Sequence, residues 1–199
     1  MWNLVRIGFV AGAILCLAPA SQAQVFIANL NGPNEAPPVN SPGIGFSAVT
    51  LNSVLNTMRV QITFSGLTGT TTVAHIHSAT ALPGTGLAGV ATQTPSFSGF
   101  PTGVTAGSYD QTFDMTQTSS YNPNFITANG GTTASAQAAL FNGISTGRAY
   151  VNVHSTTFPG GEIRGFLTVA PEPGAMALIG GLGIAGLPLL ARRRRSTAK

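Results

Sequence analysis

The residues with the clearest capacity for chemistry are the three histidines, His75, His77 and His154. His75 and His77 form a His-x-His pattern. Residues two apart share one face of a strand, so the two imidazoles are expected about 7 Å apart on that face. Copper and zinc sites use this arrangement of imidazoles. If the segment around His154 lies beside the pair, His154 would be a third ligand and Glu162 a fourth.

These histidines belong to two similar stretches of sequence. Residues 77–84 align with 154–160 with one residue deleted, and 87–90 then align without a gap with 163–166. Both copies predict a strand, a histidine at the strand end, a Pro-Gly turn, and a second strand that contains a glycine. A glycine inside a strand indicates a bulge or a close approach of another backbone.

The two copies differ at positions that carry polar groups. His75 aligns with Asn152, and Ala88 with Arg164. Glu162 and Arg164 are expected on one face of the second copy, as a structural ion pair. The alternative to a metal site is therefore a structural role for these residues. In that case Glu162 and Arg164 form an ion pair, and the histidines form hydrogen bonds with polar groups at the hairpin ends.

The elements that position these residues are expected to be short strands. Only 7% of the residues are charged, whereas Gly, Thr, Ser, Asn and Pro are abundant, which disfavours long helices. One helix is predicted, at 132–141. Period-two alternation and turn residues predict an all-β fold, an antiparallel sandwich or barrel of about seven to eight strands. The predicted strands are 24–30, 45–51, 58–64, 73–77, 87–92, 108–115, 148–154 and 162–169.

The first 23 residues resemble a secretory signal peptide. Arg6 precedes an apolar stretch at 7–17, and Ser21-Gln22-Ala23 is a small-x-small site for signal peptidase. The chain's one cysteine, Cys16, lies inside this segment. We therefore expect a mature protein without a disulfide, a thiolate metal site or a cysteine nucleophile.

The C-terminal tail, 170–199, combines three features in order. A Pro-Glu-Pro motif is followed by an apolar transmembrane helix at 174–191 and a basic end at 192–199. This set resembles the PEP-CTERM sorting signal of Gram-negative bacteria. The resemblance implies an inner-membrane anchor, an exosortase-type processing enzyme, and release to the cell surface or biofilm matrix. The motif and membrane-stop residues are Pro171, Glu172, Pro173, Arg192, Arg193, Arg194 and Arg195.

The central domain, residues 24–169, is almost neutral. The formal charge of the whole chain is +4, but most basic residues lie in the two terminal segments. The centre keeps three arginines against four acids. Nucleic acid is therefore not an expected partner, because binding to phosphates requires a basic surface.

Several segments of this central domain resemble the CHRD domain, which occurs in chordin and in bacterial proteins. The resemblance implies an immunoglobulin-like or related β-sandwich and no common activity. The His-x-His segment is also similar to a strand of copper–zinc superoxide dismutase, over a few residues only. The segments that carry the CHRD resemblance are 26–30, 34–39, 74–77, 150–154 and 161–165.

No enzyme activity is expected. The chain lacks a Gly-x-Ser-x-Gly motif, and the two acids that lie close together, Asp110 and Asp114, are expected to face solvent or cap turns. Two functions remain. One is a cofactor-free surface or matrix module that binds a polysaccharide or a matrix protein. The other is an extracytoplasmic domain that binds copper or zinc.

Overall fold

The computed structural model describes residues 23–171, which form eight strands and two α-helices. The strands are β1 (Gln24–Asn31), β2 (Ile44–Asn52), β3 (Thr57–Ser65), β4 (Thr71–His77), β5 (Gly107–Asp114), β6 (Tyr150–Ser155), β7 (Ile163–Phe166) and β8 (Thr168–Val169). The helices are α1 (Pro123–Ala128) and α2 (Thr133–Ser145), and two 3₁₀ turns occupy Gly32–Asn34 and Thr118–Ser120.

All eight strands belong to one antiparallel sheet that curves into a half-barrel. The strand order is β4-β6-β7-β1-β2-β3-β5, and β8 pairs with β1. The predicted all-β antiparallel class and the strand number are therefore confirmed. The strands form one continuous sheet, whereas an immunoglobulin-like sandwich has two separate sheets that face each other.

The core lies on the inner face of this sheet. In β3, Met58, Val60, Ile62 and Phe64 are buried, as the period-two alternation predicts. Helix α2 begins with a capping box between Thr132 and Ser135, which satisfies backbone donors of its first turn. It packs three apolar side chains into the same core: Ala136, Leu140 and Ile144.

Three predicted elements differ from the structure, and one of them is the strand at 162–169, which is divided into β7 and β8. The segment predicted as a strand at 87–92 is a loop that makes only the isolated bridges His77↔Val90 and Thr92↔Tyr121. It lies beside the edge of β4, where Ala91 N–H donates to the Ile76 oxygen, and Gly84 and Gly86 in the preceding turn have positive φ. The predicted helix at 132–141 is present and extends to Ser145. Helix α1 was not predicted, although Asn122 caps it and Pro123 occupies its first turn.

Pairing of β4 with β6 brings the two copies of the repeat together. In this register His75 lies opposite Asn152 and His77 opposite Tyr150. The second copy is a true hairpin, β6–β7, in which Asn152 also lies opposite Arg164. In the first copy only the first strand, β4, is formed, because the rest of the copy lies in the loop at 78–92.

The predicted signal peptide, apart from Ala23, and the sorting tail beyond Pro171 lie outside the described residues. Between residues 23 and 171, no helix has the length and apolar character needed to cross a membrane.

Candidate metal centre

The three histidines lie on the face of β4 and β6 that points away from the core. On these strands Ala74, Ile76, Val151 and Val153 face inward and are fully buried. The alternate residues face the other side, where loops cover them. His75 is 6% exposed and His154 is 8% exposed, so this outer layer is itself buried.

The imidazoles form a compact triad, defined here as His75, His77 and His154. One ring nitrogen from each residue lies within 4.8 Å of the others. The ring centroids are 5.6 Å apart for His75 and His77, 5.2 Å for His75 and His154, and 6.3 Å for His77 and His154. The expectation that His154 would join the His-x-His pair therefore agrees with the geometry.

Loop carbonyls determine which nitrogen of each ring carries the proton. His75 Nε2 lies 2.5 Å from the Pro95 oxygen, His77 Nδ1 lies 2.9 Å from that of Ala88, and His154 Nδ1 lies 2.8 Å from that of Pro159. A carbonyl oxygen can only accept, so each of these nitrogens donates. In a neutral ring the other nitrogen then carries a lone pair.

Those other nitrogens are the unpaired ones. His75 Nδ1, His77 Nε2 and His154 Nε2 are buried and have no hydrogen-bond partner among residues 23–171. Leaving such a group unpaired costs about 1–3 kcal/mol, so three in one place need an explanation. A shared cation would satisfy all three acceptors at once.

Burial keeps the triad neutral, as metal ligation requires. Desolvation lowers the pKa of His77 to about 4 and also lowers the pKa values of His75 and His154. Neighbouring histidines lower the pKa of His77 further, because two protonated rings would repel each other. Near neutral pH the three lone pairs are therefore available without loss of a proton.

The donor set fits zinc or copper. Zinc–nitrogen bonds of about 2.0–2.1 Å place the ligand nitrogens roughly 3.4 Å apart, so modest ring rotations would close the triad around an ion. The hydrogen bond from each ring's other nitrogen to a carbonyl is the usual support of a metal-bound histidine. Imidazole suits zinc and copper, whereas magnesium and calcium prefer oxygen ligands.

Aromatic packing holds one side of the triad. The His77 ring stacks on Tyr150 with centroids 4.8 Å apart and an interplanar angle of 5°. The guanidinium of Arg164 lies over the Tyr150 ring, 4.8 Å from its centroid. The phenol oxygen of Tyr150 accepts from the Ala88 backbone N–H at 3.3 Å, which ties the loop that supports His77 to β6.

Glu162 does not join the triad in the structure. Its carboxylate accepts from Ser41 Oγ at 2.6 Å and from the backbone N–H groups of Thr68 and Gly69. Burial alone would raise its pKa, but these bonds and one from Ser155 bring the pKa below the usual value. Glu162 thus links the segments at Ser41 and at 68–69 to β6, and the sequence spacing could not show this because those two segments are remote.

Arg164 pairs with Glu35 in the structure, and the predicted partner Glu162 is engaged elsewhere. Arg164 Nε lies 3.8 Å from Glu35 Oε2 and donates to the Asn34 carbonyl oxygen, while Nη1 donates to the Gly86 oxygen at 3.2 Å. This is a correction to the expected same-face pair. Strand spacing predicted that the two residues share a strand, but Glu162 lies just before β7, and the partner of Arg164 comes from the end of the 3₁₀ turn after β1.

Sequence reasoning assigned no role to Glu35 or Asn152. Glu35 is 6% exposed, and burial, partly offset by Arg164, raises its pKa to about 7. Its Oε1 and the Oδ1 of Asn152 are buried and unpaired in the described chain. Two signals pointed to them: Glu35 is one of four acids in the central domain, and Asn152 aligns with His75.

Residues 26–167 match the CHRD domain, close to the extent that the sequence segments indicated. Searches of curated proteins and of solved structures found no match.

Proposed function

The chain belongs to the CHRD-domain family, and we propose that it is an extracytoplasmic module that binds one zinc or copper ion through His75, His77 and His154. The observation that carries this proposal is a compact cluster of three imidazoles, each of which has one buried, unpartnered ring nitrogen. Each ring is already oriented by a backbone carbonyl, so the site is organised before the ion arrives.

A purely structural role for the histidines explains less. That role accounts for one nitrogen of each ring, which donates to a loop carbonyl and fastens the loop to the sheet. It does not account for the other three nitrogens, which are buried and lack donors. Hydrophobic side chains at these positions would avoid that cost, so the arrangement favours an ion.

The proposed location follows from the chain's ends. The signal-peptide pattern and the Pro-Glu-Pro, apolar and arginine segments support export, processing by signal peptidase and an exosortase-type enzyme, and delivery to the surface or matrix of a Gram-negative cell. Mass spectrometry of the mature protein tests this part. A mass that includes residues 1–23 or 174–199 would contradict it.

The metal proposal is tested by titration of the purified chain. Zinc, and copper in both oxidation states, are added after chelation and dialysis, and bound metal is measured by calorimetry and elemental analysis. We expect one ion per chain, and at least a hundredfold weaker binding in His75→Ala and His154→Ala. The chain has no fourth histidine to substitute for them.

Glu162→Gln provides the matched control. It changes a buried polar residue near the triad in sequence but outside it in space, so binding should stay within about threefold of the unmodified protein. Circular dichroism verifies that each variant is folded. Failure of the unmodified chain to retain any of these metals, or retention that survives loss of two histidines, would contradict the proposal.

A second candidate is adhesion to a matrix polysaccharide or protein, without enzyme activity. Ile44 and Phe46 project from the outer face of β2 and are 62% and 42% exposed. They line a shallow cleft of about 620 Å³ together with Asn29 and Thr63. A glycan-binding screen tests this candidate: we expect retention that falls in Phe46→Ser, and absence of retention on every polysaccharide would count against it.

A further inference from the structure

We propose that Asn152 supplies the fourth donor of the metal centre through Oδ1, and that Glu35 orients this amide by accepting from its Nδ2. This inference rests on the proposed metal binding and adds the oxygen ligand that the triad lacks. It also assigns a role to Glu35 that the sequence pattern did not indicate.

Strand register places Asn152 among the triad. It lies directly opposite His75, two residues from His154 on the same strand, and diagonal to His77. Side chains that face each other across an antiparallel pair have Cβ atoms about 4.5–5.5 Å apart, and diagonal ones about 7–8 Å. Asn152 is therefore the one position next to all three histidines on this face of β4 and β6.

The sequence repeat leads to the same residue. An approximate two-fold axis between His75 and Asn152 relates β4 to β6, and it carries His77 onto His154. The alignment of the two copies shows the same correspondence. The first copy therefore contributes His75 and His77 to the outer face of β4 and β6, and the second contributes Asn152 and His154. Asn152 occupies the position that is His75 in the first copy.

The hydrogen-bond pattern shows that the Asn152 amide is not used elsewhere. Asn152 is 4% exposed, and neither of its amide atoms has a hydrogen bond within the described part of the chain. An asparagine that served only to satisfy backbone groups would have such bonds. Oδ1 is in the same condition as the three histidine nitrogens: buried, able to accept, and without a donor.

Glu35 is placed to hold the amide. A Cβ built on Gly161 would lie 2.6 Å from Asn152 Nδ2, 2.7 Å from Oδ1 and 2.7 Å from Glu35 Oε1, so all three atoms border one small space. Gly161 has φ +131°, a conformation that favours glycine, and it leaves this space open. A rotation of the amide that gives Nδ2–H to Oε1 satisfies Glu35 and directs Oδ1 to the ion.

The proposed ligand set carries a metal preference. Three imidazoles and an amide oxygen suit four-coordinate zinc(II), whereas copper(I) is a softer ion that gains little from an oxygen donor. Removal of Oδ1 should therefore weaken zinc binding more than copper(I) binding. A merely structural asparagine would affect both ions equally, through the fold.

The experiment compares Asn152→Leu, Asn152→Asp and the unmodified protein by competition titration with zinc and with copper(I). We expect the leucine variant to bind zinc about 10- to 100-fold more weakly and copper(I) within about threefold of the unmodified protein. The aspartate variant, which keeps an oxygen donor, should bind zinc at least as tightly as the unmodified protein. Glu35→Gln should weaken zinc binding less than Asn152→Leu does.

Cobalt(II) provides a readout that does not depend on affinity. Its visible absorption reports ligand number, and we expect the spectrum of the cobalt-loaded protein to change in Asn152→Leu and to keep four-coordinate intensity in Asn152→Asp. Histidine-dependent binding with zinc affinity and cobalt spectrum unchanged in Asn152→Leu overturns this inference alone. Absence of metal binding by the unmodified protein overturns the proposed function and this inference together.

Discussion

At the scale of single residues, Glu35 makes the stability of the protein depend on pH. Its pKa is raised from 4.5 to about 7 in the folded protein, chiefly by burial, with Arg164 and the Ala36 N–H acting in the opposite direction. Between those values the folded state holds a proton that the unfolded state releases. The contribution of Glu35 to the free energy of unfolding must therefore fall as pH rises from 4.5 to 7, and level off above 7.

Glu35→Gln tests this dependence in the metal-free protein. Glutamine does not titrate, so the stability of the variant relative to the unmodified protein should increase with pH from 4.5 to 7, with a slope approaching about 1.4 kcal/mol per pH unit. Urea denaturation at several pH values measures it. The histidines, whose lowered pKa values destabilise the folded state as pH falls, act in both proteins and cancel in the comparison. A difference that stays constant across this range would show that Glu35 is ionised at pH 5.

At the scale of elements, the repeat predicted that a glycine inside each second strand marks a bulge or a close approach of another backbone, and the structure distinguishes the two copies. A Cβ on Gly165 of β7 would collide with the Asn29 carbonyl oxygen and lie 3.0 Å from Leu30 Cδ2. A Cβ on the equivalent Gly89 would meet nothing within 4 Å. The prediction holds for the copy that is a hairpin packed beside β1.

This pair of glycines forms a matched test of the β1–β7 contact. Gly165→Ala should lower the free energy of unfolding by about 2 kcal/mol or more, because backbone atoms of β1 cannot give way as a flexible side chain can. Gly89→Ala should change it by less than about 0.5 kcal/mol. Urea unfolding of both variants checks the difference. Equal effects would mean that β1 and β7 are farther apart than the structure shows.

At the scale of the whole molecule, an ion at the triad would join segments that are distant in sequence. His75 and His77 lie on β4, an edge strand, while His154 lies on β6, and the β4–β5 and β6–β7 connections support the rings. An ion that binds only the folded state stabilises it by about 2.7 kcal/mol at a concentration one hundred times Kd.

Calorimetric unfolding therefore tests the site on the intact protein. Zinc at about one hundred times its Kd should raise Tm by roughly 5–10 °C. A chelator should reverse this increase in Tm, and His77→Ala should abolish it. Glu162→Gln, whose carboxylate is outside the triad, should retain the shift even if its own Tm is lower. An increase in Tm that persists in His77→Ala would place the stabilising ion elsewhere.

The sequence by itself determined the local features. Alternation in β1 and β3 depends only on the two-residue period of a strand, so both strands and their buried faces could be predicted. The same rule placed His75 with His77 on one face. The strand predicted at 87–92 shows the limit of such reasoning, because the segment reaches the edge of β4 but makes only isolated bridges, at His77↔Val90 and Thr92↔Tyr121.

Only the tertiary structure decided which distant groups meet. Pairing of β4 with β6 brought His154 to the His-x-His pair, and the turn after β1 brought Glu35, not Glu162, to Arg164. The carbonyls that fix each imidazole proton come from loops whose course no spacing rule specifies. The physical reason is that strand partners are selected by burial of the whole sheet, a sum over remote contacts, whereas the face that a side chain occupies is a property of its own strand.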